Sequence, residues 1–239
     1  MRVRCTGMNG LLDAATALYM SKRTWNDARG IILASNYSAW ISTPRKEREK
    51  HPDDYPFDKE IDKLCKYGKK HITLLKFVDF GFLVEDIHRG AQDDWDSHAK
   101  RFDNRIVRAS TRLADFEKGE MSDYYKDKIL TDDQAADILK MTFPDKIHTN
   151  DHTYVRAVNG YVLEEYADNR DVKRGLYMLS IPSDFIFRVN LAEFAHIYKL
   201  RNEHSGANPE VKELCETCAD LIENKVPQFN REFLLSVDN

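Results

Sequence analysis

The sequence predicts an α+β fold in which helices flank a sheet core and the last third of the chain is helical. Two features carry this. Apolar residues recur at helical spacing near both ends: Leu11, Leu12, Ala15, Leu18 and Tyr19, then Val211, Leu214, Cys215, Cys218, Leu221 and Ile222. Between them, Ile72 to Val84 is dense in Leu, Val and Phe, which suits a buried strand or two broken near Gly81.

Taken in order, the first periodic stretch predicts a helix over 11–28. Pro44, Pro52, Pro56 and a mix of charges make 43–70 a loop-rich insertion, with at most a short helix near 59–67. The next segment, 85–105, is highly charged. Asp151–Asp168 and Val172–Ile181 look helical, and Asp184–Val189 looks extended. Asn190-Leu191-Ala192-Glu193 has an N-cap residue with Glu three positions on, a capping-box pattern that opens a helix to about Asn202. The turn His204-Ser205-Gly206 ends it. Asn208-Pro209 restarts a helix, with Pro at the first helical position where its missing N–H costs nothing, and Pro227 stops it.

Length and charge bound the function. The 239 residues make one large domain or two small ones. With 36 Lys and Arg against 40 Asp and Glu, the net charge of −4 excludes a strongly basic nucleic-acid tail and gives no pull toward anionic membranes. No apolar run approaches the ~20 residues that span a bilayer. The first residues lack the apolar stretch of a signal peptide, so a cytoplasmic location is expected. Four cysteines are too few and too scattered for a disulfide scaffold.

The familiar cofactor and catalytic motifs are missing. The glycines never reach dinucleotide-fingerprint or P-loop spacing, and Gly-x-Ser-x-Gly does not occur. Cys215-x-x-Cys218 is one isolated pair whose period puts both thiols on a buried helix face. His148 and His152 are four apart, but Pro144 and Asp151 interrupt any helix there, so no metal site is assigned. Arg101, Arg105, Arg108 and Arg112 fall at helical spacing. Such a stripe could meet nucleic-acid phosphates or form a salt-bridged solvated face; nearby Asp93, Asp94, Asp96 and Asp103 argue against a broad nucleic-acid footprint.

The run from Arg174 to Glu210 is more specific. Arg174 is followed sixteen positions later by Asn190, and eleven beyond that by Arg201 in Leu200-Arg201. A turn with His204 and Ala207 and a helix start at Pro209-Glu210-Val211 complete it. In order and spacing this resembles the C-terminal half of the flavin-dependent thymidylate synthases, over roughly a third of the chain. Tyr161-Val162-Leu163-Glu164-Glu165 is similar to the family's preceding helix. Ser110-Thr111-Arg112 resembles the end of its nucleotide-binding signature, Arg-His-Arg-x-x-Ser-x-Asn-Glu-x-Ser-x-Arg, and His71-Ile72-Thr73 resembles the start of the strand whose His meets the flavin. This chain departs from the signature: its central His is lost, and Asn-Glu becomes Val107-Arg108, a charge reversal.

On the residues alone, Asn190 reads equally as an N-cap and Arg201 as a cation complementing a helix C-terminus. Eleven helical residues turn about 1100°, which is ~20° from whole turns, and rise about 16 Å, so both lie on one helix face.

The resemblance implies a single domain over 1–239 with a mixed or antiparallel sheet core. It implies methylation of dUMP to dTMP at C5, with methylenetetrahydrofolate as carbon donor, FAD as hydride carrier and NADPH as its reductant. Arg201 would be catalytic and substrate-binding, Ser110, Arg112 and Arg174 substrate-binding, and His71, Thr73, Asn190 and His196 flavin-binding. Ala192 stands where the family often places another Arg. The partners implied are a pyrimidine nucleotide and further copies of the chain in a homotetramer. The degenerate signature leaves two other readings: a same-fold enzyme that methylates or hydroxymethylates dCMP or UMP, and an inactive relative acting as a binding protein.

Overall fold

A computed structural model describes residues 1–97, 105–109, 182–203 and 208–237. The helices expected over 151–168 and 172–181, the turn at 204–206, and His148, His152, Arg101 and Arg112 lie outside the described residues.

Four strands, β1 (Arg2–Asn9), β2 (Asp79–His88), β3 (Arg105–Arg108) and β4 (Pro182–Asn190), form one sheet in the order β1-β2-β4-β3. The described helices are α1 (Leu11–Ser21), α2 (Asp27–Ser42), α3 (Arg45–Lys50), α4 (Phe57–Gly68), α5 (Arg89–Asp96), α6 (Leu191–Glu203), α7 (Pro209–Lys225) and α8 (Arg231–Leu235). Helices with an antiparallel sheet give the α+β class that the sequence predicts. The chain divides into two compact units. One holds Met1–Val3, Leu83–His98 and Ile106–Ile186; the other holds Arg4–Phe82, Ala99–Arg105 and Phe187–Asn239.

In the larger unit, α1 buries Leu11, Ala14, Ala15 and Leu18 on one face. It ends at Ser21 rather than reaching Ala28. The polar run after Ser21 has no face to bury, Arg23 turns to a positive φ of 55°, and Asn26 starts a new helix by accepting the Arg29 N–H at 2.8 Å. The expectation of a loop-rich 43–70 is also corrected, since α3 and α4 occupy most of it. Pro44 and Pro56 stand just before these helices and Pro52 opens a 3₁₀ turn, the positions where proline starts helices rather than breaking them. Phe57, Ile61, Leu64 and Gly68 form the buried stripe of α4.

The apolar run after His71 splits differently from expectation. Ile72–Phe77 is a 3₁₀ helix, and the strand begins only at Asp79. A short apolar run does not itself distinguish strand from buried helix. No break occurs at Gly81: a Cβ there would come within 2.5 Å of Thr6 Oγ1, so the glycine lets β1 approach closely. The core of this unit is aromatic. Phe82 stacks on Phe187 at 5.2 Å between ring centroids, with Phe194 beyond it and Phe80 against Phe229.

The C-terminal helices follow the sequence reading. Asn208 accepts the Glu210 N–H at 3.0 Å, Val211, Leu214, Cys215, Cys218 and Ile222 are buried, and α7 ends at Lys225, two residues before Pro227.

Arg105–Arg108 is a strand, not part of a helical arginine stripe. Arg108 pairs with Asp93 and with Asp96, the latter at 3.0 Å, so this arginine takes the salt-bridged role.

Candidate functional site

Helix α6 carries two of the sequence-derived candidates, His196 and Arg201, and a third, Asn190, caps it from the end of β4. Its first turn is set by Asn190, which is 3% exposed and whose Oδ1 accepts the Glu193 N–H at 2.9 Å. The capping role read from the sequence is therefore real. It occupies the amide oxygen and leaves the Nδ2 donors for another acceptor. Arg201 is half-buried in the last turn, with its Nε shielded from solvent. Asn190 is the last residue of β4, so regular helical spacing holds from Leu191 on; within α6, Arg201 and His196 lie about 140° apart around the axis. His196 is half-buried on that other flank, so one face of α6 does not present both.

The 3₁₀ segment Ile72–Phe77 packs against α6, as do α7 and α8. His71 occupies the cap position before that segment, and His71 and Thr73 are exposed. The strand start expected at His71 is thus a helix start, but the element bearing Thr73 does lie against the helix bearing Asn190. Ser110, Arg112 and Arg174 lie outside the described residues.

Tyr198 secures α6 from the neighbouring side. Its hydroxyl donates to Glu216 Oε1 at 2.9 Å, and burial together with this bond pushes the phenol up to about 12. Glu216 also receives Arg231 Nε at 2.9 Å, and Arg231 reaches Asp220 at 2.6 Å, so α6, α7 and α8 share one polar network.

In the smaller unit a buried polar group escaped sequence reasoning. Gln92 is fully buried on α5. Its Oε1 accepts from Ser183 Oγ at 2.9 Å and from Arg89 at 3.1 Å, and its Nε2 donates to the Asp184 carbonyl at 3.4 Å. His88 Nδ1 accepts the Ala91 N–H at 2.8 Å, which caps α5 and fixes the ring. The signal was present. His88, Ala91, Gln92 and Trp95, all buried, stand at i, i+3, i+4 and i+7, but the surrounding aspartates mask the period.

Three of the four thiols are held in their unreactive, protonated form. Burial pushes Cys5 upward, Cys65 up to about 12 and Cys218 upward, so each stays protonated near neutrality. Among the described residues no group of three or more His, Cys, Asp or Glu is placed to hold a metal ion.

The family model described as "Thymidylate synthase complementing protein" matches residues 12–228. Two crystal structures of thymidylate synthase X (ThyX) from Helicobacter pylori, each with FAD and dUMP, share the fold with a TM-score of 0.61. One is 14% identical, covering 98% of this chain and 100% of that one; the other is 13% identical, covering 97% and 99%. No curated protein sequence matches significantly. The family match spans nearly the whole chain and takes in α6 with its Asn190 and Arg201, and the chain belongs to the thymidylate synthase complementing protein family, the flavin-dependent thymidylate synthases.

Proposed function

We propose that this enzyme methylates dUMP to dTMP at C5 with methylenetetrahydrofolate as carbon donor, bound FAD and NADPH. The observation that carries the reading is α6, with Asn190 fixed as its cap and Arg201 in its last turn, within a family match over 12–228. The residues fit a flavin. The Asn190 amide keeps two donors for a carbonyl acceptor, and the helix N-terminus beside it favours negative charge. Bound FAD would supply hydride transfer.

The chain's own residues would bind and orient. Arg201 stabilises negative charge developing on the pyrimidine as C5 becomes nucleophilic. Ser110, Arg112 and Arg174 hold the nucleotide, with the arginines offering fork contacts to phosphate. His71, Thr73 and His196 complete the flavin contacts. Both compact units serve one functional domain, four copies form a homotetramer with shared sites, and the enzyme works in the cytoplasm. A retained flavin, identified as FAD rather than FMN after denaturation, together with dUMP-dependent release of dTMP tests the reading. A protein that neither retains nor takes up FAD rejects it.

A second reading draws on Val107-Arg108, where the family signature has Asn-Glu. With Arg108 paired to Asp93 and Asp96, that Glu is missing, and the nucleotide acted on is then dCMP or UMP. Assaying turnover with all three nucleotides separates the two readings.

A further inference from the structure

We propose that Gln92, acting through the Asp184 carbonyl, is a positioning residue for the segment that follows β3, and that it sets nucleotide affinity from a place no nucleotide can reach. This rests on the reading that Ser110 and Arg112 hold a pyrimidine nucleotide. Three ties meet where β3 ends. The Ala109 N–H donates to the Asp184 carbonyl at 2.8 Å, and Ser110 is the next residue in the chain. Gln92 Nε2 donates to that same carbonyl at 3.4 Å. Arg108 is held by Asp93 and by Asp96, both on α5 with Gln92. All these residues belong to one compact unit.

Asp184 acts through its side chain as well. Its Oδ1 accepts the Asp86 N–H at 2.9 Å. Asp86 has a φ of +60°, which L-residues rarely adopt, and Arg2 pairs with its carboxylate at 3.0 Å. Backbone in so sparsely populated a region persists where its surroundings over-determine it. The Asp184 carboxylate supplies part of that restraint while its carbonyl anchors Ala109. One residue therefore couples an irregular point in β2 to the exit of β3.

Gln92 gives that carbonyl its direction. It is fully buried, where an apolar side chain would fill the space without desolvating an amide. What the amide adds is orientation. Its Oε1 is held by Ser183 Oγ at 2.9 Å and by Arg89 at 3.1 Å, so the group cannot flip without losing both bonds, and Nε2 stays aimed at Asp184. A satisfied buried network of this kind is rigid. It fixes the point from which Ser110 and Arg112 leave the sheet, so less ordering remains to be done when nucleotide binds.

The test has two parts, a variant and a measurement on wild type. Gln92→Met/Ser183→Ala replaces both buried partners by apolar groups, a change that can be nearly neutral for stability. The variant should melt close to wild type and retain FAD, because His71, Thr73 and Asn190 belong to the other unit. Its Kd and KM for the nucleotide should rise about two- to tenfold, the worth of one net hydrogen bond, with kcat unchanged. Hydrogen exchange of wild type, with and without saturating dUMP, dCMP or UMP, supplies the second part. Coupling between sites is reciprocal, so bound nucleotide should slow exchange at Ala109 and also at Asp86, whose amide reaches the segment only through Asp184. If the variant does not fold, exchange at Asp86 decides. Nucleotide affinity unchanged in a folded variant, or no slowing at Asp86, overturns the positioning role and leaves the proposed activity standing. A wild type that binds none of the three nucleotides overturns both.

Discussion

The Leu191 N–H donates to the Val78 carbonyl at 2.8 Å, tying the first residue of α6 to the residue just before β2. This hydrogen bond ties the start of α6 to the residue that follows the 3₁₀ segment Ile72–Phe77. The Asn190 cap sits directly beside it, so the cap, the 3₁₀ segment and the sheet set one another's positions.

Gly10 supports the same corner. It adopts φ +75° at the start of α1, and a Cβ there would run into the Phe77 carbonyl oxygen. Gly10→Ala should therefore destabilise by more than the roughly 1–2 kcal/mol that a left-handed conformation alone costs an L-residue, because backbone must also move. A denaturation curve checks this. Gly7→Ala, where a Cβ would meet Arg188 Nη2 at 3.9 Å in ordinary contact and φ is not positive, should cost far less.

The readable parts of the chain were those where a local signal acts alone. Asn190-x-x-Glu193 and Asn208-Pro209 specify caps whose chemistry lies within four residues, and both helices start where the sequence says. The prolines at 44, 52 and 56 carried a signal that points either way, and tertiary burial of Phe57, Ile61 and Leu64 decided for helix. His71–Val84 defeated periodicity because it is apolar on both faces. Gln92 was hidden for the opposite reason: a buried polar side chain in an acidic run is indistinguishable from its solvated neighbours until β4 supplies Ser183 and Asp184. The candidate site divides likewise. The placing of Asn190 and Arg201 at the two ends of one helix follows from sequence alone, whereas the approach of Ile72–Phe77 to α6 is long-range and leaves no local trace.

Asn190 separates structure from binding. Asn190→Ala removes the acceptor for the Glu193 N–H and should cost about 1 kcal/mol of stability. Asn190→Asp keeps that acceptor and places a negative charge at a helix N-terminus, so its melting temperature should match wild type. It loses both amide donors, however. FAD affinity should fall by about two- to tenfold, as losing a net hydrogen bond of roughly 0.5–1.5 kcal/mol implies. Asn190→Asp binding FAD as tightly as wild type would reduce Asn190 to a cap.

Tyr198 gives a pH signature. Its phenol titrates near 10 when unfolded and up to about 12 when folded, from burial first and the Glu216 bond second. Between those values the unfolded chain binds fewer protons than the native one, so this contribution is intact below pH 10 and is lost as pH rises toward 12. Tyr198→Phe should be less stable than wild type at pH 8, and the gap should narrow from pH 10 upward. Chemical denaturation at a series of pH values measures it. A gap that widens with alkali would contradict the assignment.

Arg201 is the sharpest test of the site. Arg201→Lys keeps the charge and gives up the planar fork, so the two roles open to this residue predict different results. As a cation that only complements the end of α6, lysine should serve nearly as well, because that effect is about 0.3–1 kcal/mol for either side chain. As the group holding the pyrimidine, Arg201 supplies directional donors that lysine cannot reproduce. Losing one such donor costs about 2.7–4 kcal/mol of transition-state stabilisation, a fall of ~100- to 1000-fold in turnover. The expected outcome is that large fall beside a melting curve close to wild type. dUMP, dCMP and UMP should all be assayed, because Val107-Arg108 alters the signature that reads the nucleotide. If Arg201→Lys matches wild type in binding and turnover of every nucleotide the wild type accepts, Arg201 is a helix-terminal cation and the pyrimidine site lies elsewhere.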